Sequence, residues 1–251
     1  MENKNFYDVI FKRKSVRKYN LENLDDTILE EVSTFISSVK PMYEEIKTEI
    51  KIVKLENVKN LLPIRAPYYI LFSSENKEGY LTNAGFMLQQ IDLFLSANEL
   101  GSCWVGMAQP KKEILKKLKL EFIIALAFGK PAEFVHRKNL KEFRRKSIEE
   151  IRDTNEKDEL IEPARLAPSA TNSQPWFFRI LNNKIHAYCI KQNLIKAILL
   201  KKMNQIDMGI AICHIWIAAK KYGKDMKIIT DRKGLEYSPK GYNYVISLII
   251  D

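Results

Sequence analysis

Two long apolar segments with the same residue pattern are the feature that most restricts how this chain can fold. They run from Asn83 to Gly101 and from Gln205 to Gly223, and they align over an offset of 122 residues. Both carry apolar side chains at helical spacing with few polar interruptions, which is the pattern of a deeply buried helix. Each closes on a glycine, the residue that commonly follows a helix in the left-handed conformation. The pattern therefore predicts two central helices of one kind, ended by Gly101 and Gly223.

The same alignment continues beyond the helices. Glu121–Gly129 aligns without a gap with Asn243–Asp251, again over 122 residues. Both segments are rich in β-branched and aromatic residues, as buried strands are. Upstream, Arg13–Val16 is echoed by Arg145–Ile148 over an offset of 132 residues. A constant register across a helix, a loop and a strand indicates an internal repeat.

The repeat divides the chain into two halves, predicted at residues 1–140 and 141–251. The charged join between them contains no Pro/Gly/Ser-rich linker, so the halves are expected to share one core. We predict an α+β fold in which each half has an opening helix, strands, a central helix and a closing strand. The other predicted elements are helices at Phe6–Phe11, Asp25–Ser37 and Pro110–Leu118, and strands at Tyr68–Ser73, Phe177–Leu181 and Ile185–Cys189, the last two joined by a turn at Asn182-Asn183.

Charge and cysteine content exclude several other classes of protein. The 251 residues include 41 Lys and Arg against 31 Asp and Glu, which gives a net charge of +10. Most of this excess falls on polar helix faces, and no recognised motif supports a nucleic-acid-binding module. No apolar run reaches the ~20 residues that span a bilayer, and the first residues lack the apolar segment of a signal peptide, so we expect a cytosolic protein. Cys103, Cys189 and Cys213 have no metal-site spacing and are expected to be buried thiols.

Three polar clusters are candidate binding residues. The Arg-Ser cluster, Arg13–Arg17, gathers three cations and a hydroxyl, which can surround a phosphate. The Pro-Ser loop, Pro168–Trp176, holds hydroxyls and amides between two prolines and suits contact with the edge of a heterocycle. The glycine segment, Gly101–Met107, allows the backbone to approach a ligand closely. Each cluster alone also fits ordinary surface or turn structure.

Together the three clusters resemble the nitroreductase family of FMN-dependent oxidoreductases. The most specific match is the sequence PSATNSQPW of the Pro-Ser loop, which follows the family pattern PS-x-x-N-x-QPW. In the common family pattern that loop closely follows the Arg-Ser cluster, whereas here about 150 residues separate them. Ordinary members are homodimers whose FMN sites take residues from both subunits. The displaced loop makes this chain similar to the tandem subfamily, in which one chain forms a pseudo-dimer.

Loss of motifs in the two halves is complementary. The first half keeps the Arg-Ser cluster and the glycine segment, while its counterpart of the loop, Ser37–Tyr43, lacks the Asn-x-Gln-Pro-Trp residues. The second half keeps the loop, while its counterparts of the other two clusters, Arg145–Ile148 and Lys224–Lys227, are degenerate. The resemblance therefore implies one FMN per chain, bound with residues from both halves.

The resemblance also assigns roles. The Arg-Ser cluster would hold the FMN phosphate and the pyrimidine edge, the Pro-Ser loop would line the isoalloxazine ring and the ribityl chain, and Val105 and Gly106 would approach flavin N5 through their backbone. Either Arg144 or Arg145 would supply a further phosphate cation, and the sequence does not choose between them. No side chain is expected to act as acid, base or nucleophile. The residues assigned to the cofactor are Arg13, Lys14, Ser15, Arg17, Val105, Gly106, Arg144, Arg145, Pro168, Ser169, Ala170 and Asn172.

The activity that the resemblance implies is a ping-pong oxidoreduction. NADH or NADPH would reduce FMN by hydride transfer, and a nitroaromatic, quinone or similar small acceptor would then be reduced. The alternative is a protein that stores FMN without turnover, with Leu55–Arg65 or Asn193–Met203 covering the flavin. We expect a monomer without nucleic-acid or membrane partners. No metal site is predicted, and His214, on the apolar helix, is expected to be a hydrogen-bonded core histidine.

Overall fold

The chain divides into a first unit, Met1–Glu142, and a second unit, Phe143–Asp251. The computed structural model describes residues 5–154, 156–181, 183–191 and 197–251, with residues 197–199 described by their backbone alone. Over these residues, no helix is long and apolar enough to cross a bilayer. The predicted division after residue 140 is close to the division between the units, while a core shared by the two halves stays a prediction.

The first unit combines helices with antiparallel strands. Its elements are α1 (Phe6–Ile10), α2 (Asp26–Ser38), β1 (Thr48–Lys54), β2 (Val58–Asn60), β3 (Tyr68–Ser74), α3 (Tyr80–Ala97), β4 (Gly101–Val105), β5 (Ala108–Pro110), α4 (Lys112–Leu115) and β6 (Glu121–Gly129). Four strands form a sheet in the order β1–β3–β6–β4, and each neighbouring pair is antiparallel. A separate two-stranded sheet pairs β2 with β5.

The apolar helix α3 is buried along almost its whole length, as its residue pattern predicts. The amide of Leu100 donates to the carbonyl of Leu95, so the chain turns at Glu99, which takes the left-handed conformation at φ 57°. The prediction that Gly101 supplies the left-handed stop is therefore wrong. Gly101 is the first residue of β4, and a Cβ atom there would lie 2.7 Å from Cγ1 of Val16. Close packing, not backbone conformation, requires glycine at this position.

The second unit also combines helices with an antiparallel sheet. Its elements are α5 (Asp158–Arg165), β7 (Trp176–Leu181), β8 (Lys184–Ile190), α6 (Ala197–Lys221), β9 (Met226–Ile229), α7 (Arg232–Glu236) and β10 (Tyr242–Ile250). The sheet order is β7–β8–β10–β9, with every neighbouring pair antiparallel. Helix α6 packs against α5, β7 and β8. Gly223 follows α6 in the left-handed conformation at φ 67°, as the sequence predicts.

The two units have the same sheet topology. In each four-stranded sheet, the first two strands in chain order (β1 and β3, or β7 and β8) pair with each other, and the long central helix follows them. The next strand (β4 or β9) lies at an edge, and the last strand (β6 or β10) pairs with that edge strand and with the second strand of the sheet. Helices and antiparallel sheets in both units confirm the predicted α+β class. The described residues of the second unit contain no counterpart of the β2–β5 sheet.

Most predicted elements are found within a few residues of their expected bounds, and one helix is shorter than predicted. The helix predicted over Pro110–Leu118 is only the short α4. Leu55–Arg65, considered as a covering loop, includes β2, which is fixed by its pairing with β5. The other candidate cover, Asn193–Met203, lies outside the described residues up to Lys196, and its remainder begins α6. In the predicted Asn182-Asn183 turn, Asn182 also lies outside them, and Leu181 pairs with Lys184.

Candidate functional site

Arg13, the first cation of the Arg-Ser cluster, lies in the core of the first unit. Its side chain is 1% exposed, and its Nε atom lies 3.0 Å from Oδ2 of Asp92, which is 0% exposed. Asp92 comes from α3, whose apolar surroundings would make an unpaired carboxylate costly. Arg13 also donates from Nη2 to Ser15 Oγ over 3.3 Å. Arg13 therefore neutralises a buried acid and orients the Ser15 hydroxyl.

Asp92 joins the Arg-Ser cluster to the glycine segment. Ser102 Oγ donates to Asp92 Oδ1 over 2.5 Å, and the Val16 amide donates to the Ser102 carbonyl over 2.9 Å. Because Gly101 has no side chain, Val16 packs directly against the start of β4. The first unit thus brings together two of the three clusters that the sequence singles out.

Lys14 and Arg17 lie closer to the surface than Arg13. Lys14 Nζ is 3.4 Å from Glu133 Oε2, and the Arg17 amide donates to Glu133 Oε1 over 2.9 Å. Burial opposes ionisation of Glu133, but the Arg17 amide and the Lys14 cation lower the pKa of this carboxyl below its ordinary value. Arg17 itself is an exposed residue. Glu133 therefore fixes the backbone of the cluster and leaves the Arg17 side chain facing solvent.

Arg137 is a further cation beside this cluster, and the sequence patterns do not identify it. Its guanidinium donates to the carbonyl of Arg13, and its own amide donates to the carbonyl of Lys12 over 2.6 Å. Burial and then the neighbouring Arg13 cation lower the pKa of Arg137 to about 10. The cluster is therefore held from a second side by a segment more than a hundred residues away in sequence.

The glycine segment ends in an exposed turn. Val105 closes β4 and is buried, while Gly106 and Met107 form the turn into β5 and are exposed. The indole Nε1 of Trp104 is buried without a hydrogen-bond partner in the described part of the chain. The turn therefore presents accessible backbone beside a polar atom that a ligand can satisfy.

The Pro-Ser loop in the second unit has an irregular backbone. Thr171, Asn172 and Gln174 all take left-handed conformations, at φ 52°, 59° and 47°. The loop closes on itself, because the Gln174 amide donates to Ser169 Oγ over 2.9 Å and Gln174 Nε2 donates to the Asn172 carbonyl over 3.1 Å. Pro168 is buried, Ser169 and Ala170 are half-buried, and Asn172 is exposed.

Arg145 and Arg144 have different surroundings. Arg145 Nη1 donates to Asn172 Oδ1 over 2.5 Å and to the Phe143 carbonyl over 2.8 Å, and Nη2 donates to the Leu166 carbonyl over 3.3 Å. The carbonyl of Arg144 accepts a hydrogen bond from Asn172 Nδ2, and Arg144 is an exposed residue. Arg145 therefore supports the Pro-Ser loop, while the Arg144 guanidinium faces solvent.

Asp207 of α6 lies buried against the same loop. Both of its carboxylate oxygens are 3.1 Å from the Ala170 amide, which donates to them, and Ser173 Oγ donates to Oδ2 over 3.5 Å. Burial raises the pKa of Asp207 to about 8, against the lowering effect of these two hydrogen bonds. Asp207 is the second acid, after Asp92, that reaches a predicted cluster from a central helix.

His214 and the three cysteines belong to the buried core. His214 is buried and its Nδ1 lies 2.7 Å from the Pro163 carbonyl, which confirms the prediction of a hydrogen-bonded core histidine. The three cysteines are buried thiols, as predicted. Among the described residues, no group of three or more His, Cys, Asp or Glu side chains could hold a metal ion.

One sequence signal could have identified the two acids that pattern matching missed. Asp92 and Asp207 each interrupt the apolar pattern in the buried part of a central helix. A carboxyl at such a position needs a cation or several donors, since burial without partners is costly. The signal shows that a partner is needed, but it does not show which residue supplies it.

The fold is similar to that of one solved structure of a putative nitroreductase, and two further solved structures align with part of the chain. A crystal structure named a putative nitroreductase from Thermotoga maritima aligns with 98% of this chain and 93% of its own, at 20% identity and a TM-score of 0.68. A nitroreductase family protein from Clostridium difficile 630 aligns with 61% of this chain and 98% of its own, at 20% identity and a TM-score of 0.46. An FMN-dependent nitroreductase from Clostridium difficile R20291 aligns with 56% and 94%, at 19% identity and a TM-score of 0.44.

Sequence comparison gives the family directly. No curated protein matches the chain significantly. A family model described as "Putative TM nitroreductase" matches residues 5–219, which include all three clusters. Since that match covers most of the chain, the protein belongs to this nitroreductase family.

Proposed function

We propose that this protein is an FMN-dependent oxidoreductase that uses NADH or NADPH to reduce nitroaromatics, quinones or similar small acceptors by a ping-pong mechanism. The observation that carries the proposal is the joining of the Arg-Ser cluster to the glycine segment through Asp92 in the first unit. In the family these two clusters contact the same flavin. Family membership over residues 5–219 supports the same function.

The residues present fit FMN. Arg17 in the first unit and Arg144 in the second have exposed side chains suited to a phosphate, and Ser15 adds a hydroxyl oriented by Arg13. The exposed Gly106 turn and the buried Nε1 atom of Trp104, which has no hydrogen-bond partner among the described residues, suit close approach of a polar ring edge. Among the proposed contacts, Arg144 is preferred to Arg145, because the Arg145 guanidinium is already bonded to three oxygen atoms.

The roles of the chain's own residues are binding and orientation. FMN, when bound, would supply the redox chemistry. Arg13 and Arg145 would act as supports, the first for Ser15 and the second for Asn172. Ser169 and Ala170, fixed by hydrogen bonds to Gln174 and Asp207, would line the flavin with backbone of defined direction. Lys14, paired with Glu133, would add positive charge near the phosphate.

We further propose that the two units are tandem repeats and that the chain binds one FMN as a monomer. The shared order of strands and central helix in the two units supports the repeat. The complementary loss of motifs supports one flavin per chain, since each unit retains only part of the family set.

The test is flavin stoichiometry followed by anaerobic titration with NADH and NADPH. We expect yellow protein with about one FMN per chain, bleached by the dinucleotide and reoxidised by a quinone. Light scattering during gel filtration gives the mass.

Arg17→Gln and Arg144→Gln should each weaken FMN binding, and the matched control Arg232→Gln, on the exposed face of α7, should not. Protein that fails to take up FMN contradicts the proposal. Flavin that stays oxidised in excess NAD(P)H instead identifies a storage protein.

A further inference from the structure

Asp207 is placed where an acid has no obvious benefit to the stability of the fold. It lies in the middle of α6, is 3% exposed, and is flanked in sequence by buried Ile206 and Met208. Transfer of a carboxyl into such surroundings is unfavourable unless its oxygens accept hydrogen bonds. The partners described above are the Ala170 amide and the Ser173 hydroxyl, both in the Pro-Ser loop.

The loop that Asp207 contacts needs external support. Left-handed conformations cost non-glycine residues of order 1 kcal/mol or more each, and here Thr171, Asn172 and Gln174 all adopt them. Thr171 is β-branched, for which this conformation is especially unfavourable. Asp207 holds the amide of Ala170, immediately before these residues, so its hydrogen bonds fix the direction in which the irregular backbone starts.

The first unit contains the same arrangement with a neutral side chain. Asn83 of α3, also fully buried, accepts hydrogen bonds through Oδ1 from the amides of Met42 and Tyr43, over 2.8 Å and 3.2 Å. That segment follows α2 and belongs to the first half's counterpart of the Pro-Ser loop. A neutral amide oxygen on the central helix is therefore sufficient to hold backbone amides of this kind.

We propose that Asp207 is a positioning residue for the flavin: its acceptor oxygens hold the Pro-Ser loop in the conformation that binds FMN and so set the FMN affinity. This inference rests on the proposed function, because it takes the loop to be part of the flavin site. It adds a residue of α6 that the family motif does not contain.

The experiment compares two substitutions of Asp207 with a control on the same helix. Asp207→Leu removes the acceptor and keeps the branched shape of the side chain, so FMN should bind about ten- to a hundredfold more weakly, the range for leaving a buried backbone donor without its acceptor. Asp207→Asn keeps an acceptor oxygen and should bind FMN within about threefold of the wild type. Met208→Ala loses buried apolar volume and should lower the urea midpoint without a comparable change in FMN affinity.

Flavin fluorescence titration gives the affinities, and urea unfolding of the flavin-free proteins gives their stabilities. Hydrogen exchange of the peptide containing Ala170 should be faster in Asp207→Leu than in Asp207→Asn, with or without FMN. Equal FMN affinity in the wild type and Asp207→Leu would overturn the inference while leaving the proposed function intact. So would loss of affinity in Asp207→Asn as large as in Asp207→Leu. Failure of the wild type itself to bind FMN would contradict the proposed function, and the inference with it.

Discussion

Replacing Asp92 by asparagine should destabilise the protein far more than its conservative shape suggests. The substitution keeps an acceptor for Ser102 but removes the negative charge beside Arg13, and the two side chains are at most 1% exposed. A buried cation is then left without its counter-charge. Breaking a buried ion pair from one side costs about 3–5 kcal/mol, and we expect that loss in the free energy of unfolding.

Two further variants separate the cost of breaking the buried Arg13–Asp92 pair from the general effect of changing a charge. Lys14→Met breaks the partly exposed pair with Glu133 and should cost no more than about 1 kcal/mol. The double variant Arg13→Met with Asp92→Leu replaces both charges by apolar groups and should recover most or all of the stability that Asp92→Asn loses, because neither charge remains buried alone.

The assay is urea unfolding of the flavin-free proteins at pH 7, followed by circular dichroism, with FMN uptake measured on the same preparations. The buried-pair explanation predicts that Arg13→Met is about as destabilising as Asp92→Asn. If Arg13→Met instead costs less than about 1 kcal/mol and abolishes FMN uptake, Arg13 is a direct phosphate ligand, as the sequence resemblance implies, and the reasoning from burial is refuted.

Three further outcomes follow from burial, steric contact and packing. Burial raises the pKa of Asp207 to about 8 in the folded protein, while in the unfolded chain it is near the ordinary value of about 4. Because the folded protein keeps a proton that the unfolded chain loses, the free energy of unfolding of the wild type falls by about 1.4 kcal/mol for each pH unit between about 4 and 8. Asp207→Asn should gain about 4 kcal/mol relative to the wild type between pH 5 and pH 8 in urea unfolding, and a pH-independent difference would contradict this. Gly101→Ala forces a Cβ atom to 2.7 Å from Val16 and should lower stability by about 1–3 kcal/mol, whereas Gly223→Ala, with open space but φ at 67°, should cost about 1 kcal/mol; equal thermal shifts would argue against the contact. A thiol reagent should react with no cysteine in the native protein and with all three in denaturant, and rapid native labelling would show that burial is incomplete.

Periodicity predicted the fold well because buried helices and strands leave clear patterns. The alignment over 122 residues located α3 and α6 and the closing strands β6 and β10 without further information. The stop at Gly101 was wrong because a helix can end on a left-handed non-glycine residue when a backbone hydrogen bond, here from Leu100 to Leu95, compensates. The requirement for glycine at position 101 comes from close packing against Val16, and not from a left-handed backbone.

The candidate site was less predictable, because its supports are distant in sequence. A basic stretch such as Arg13–Arg17 is typical of a solvated surface, and no neighbouring residue in the sequence indicates that Arg13 faces inward to Asp92. The choice between Arg144 and Arg145 likewise depends on which guanidinium reaches Asn172, and that depends on tertiary structure. Motifs identify the residue types of a binding site, while the division between ligand contacts and supports is decided by packing.

The β2–β5 sheet shows what a chain with two similar units can change. In the first unit residues 55–67 connect the paired strands β1 and β3, and part of this connection pairs with β5, next to the Gly106 turn. In the second unit Leu181 and Lys184 pair directly across the corresponding connection. A homodimer would carry any such insertion twice, because one gene encodes both copies. In this chain the connection is long in the first unit and short in the second, so the residues beside the Gly106 turn have no requirement to match those of the second unit.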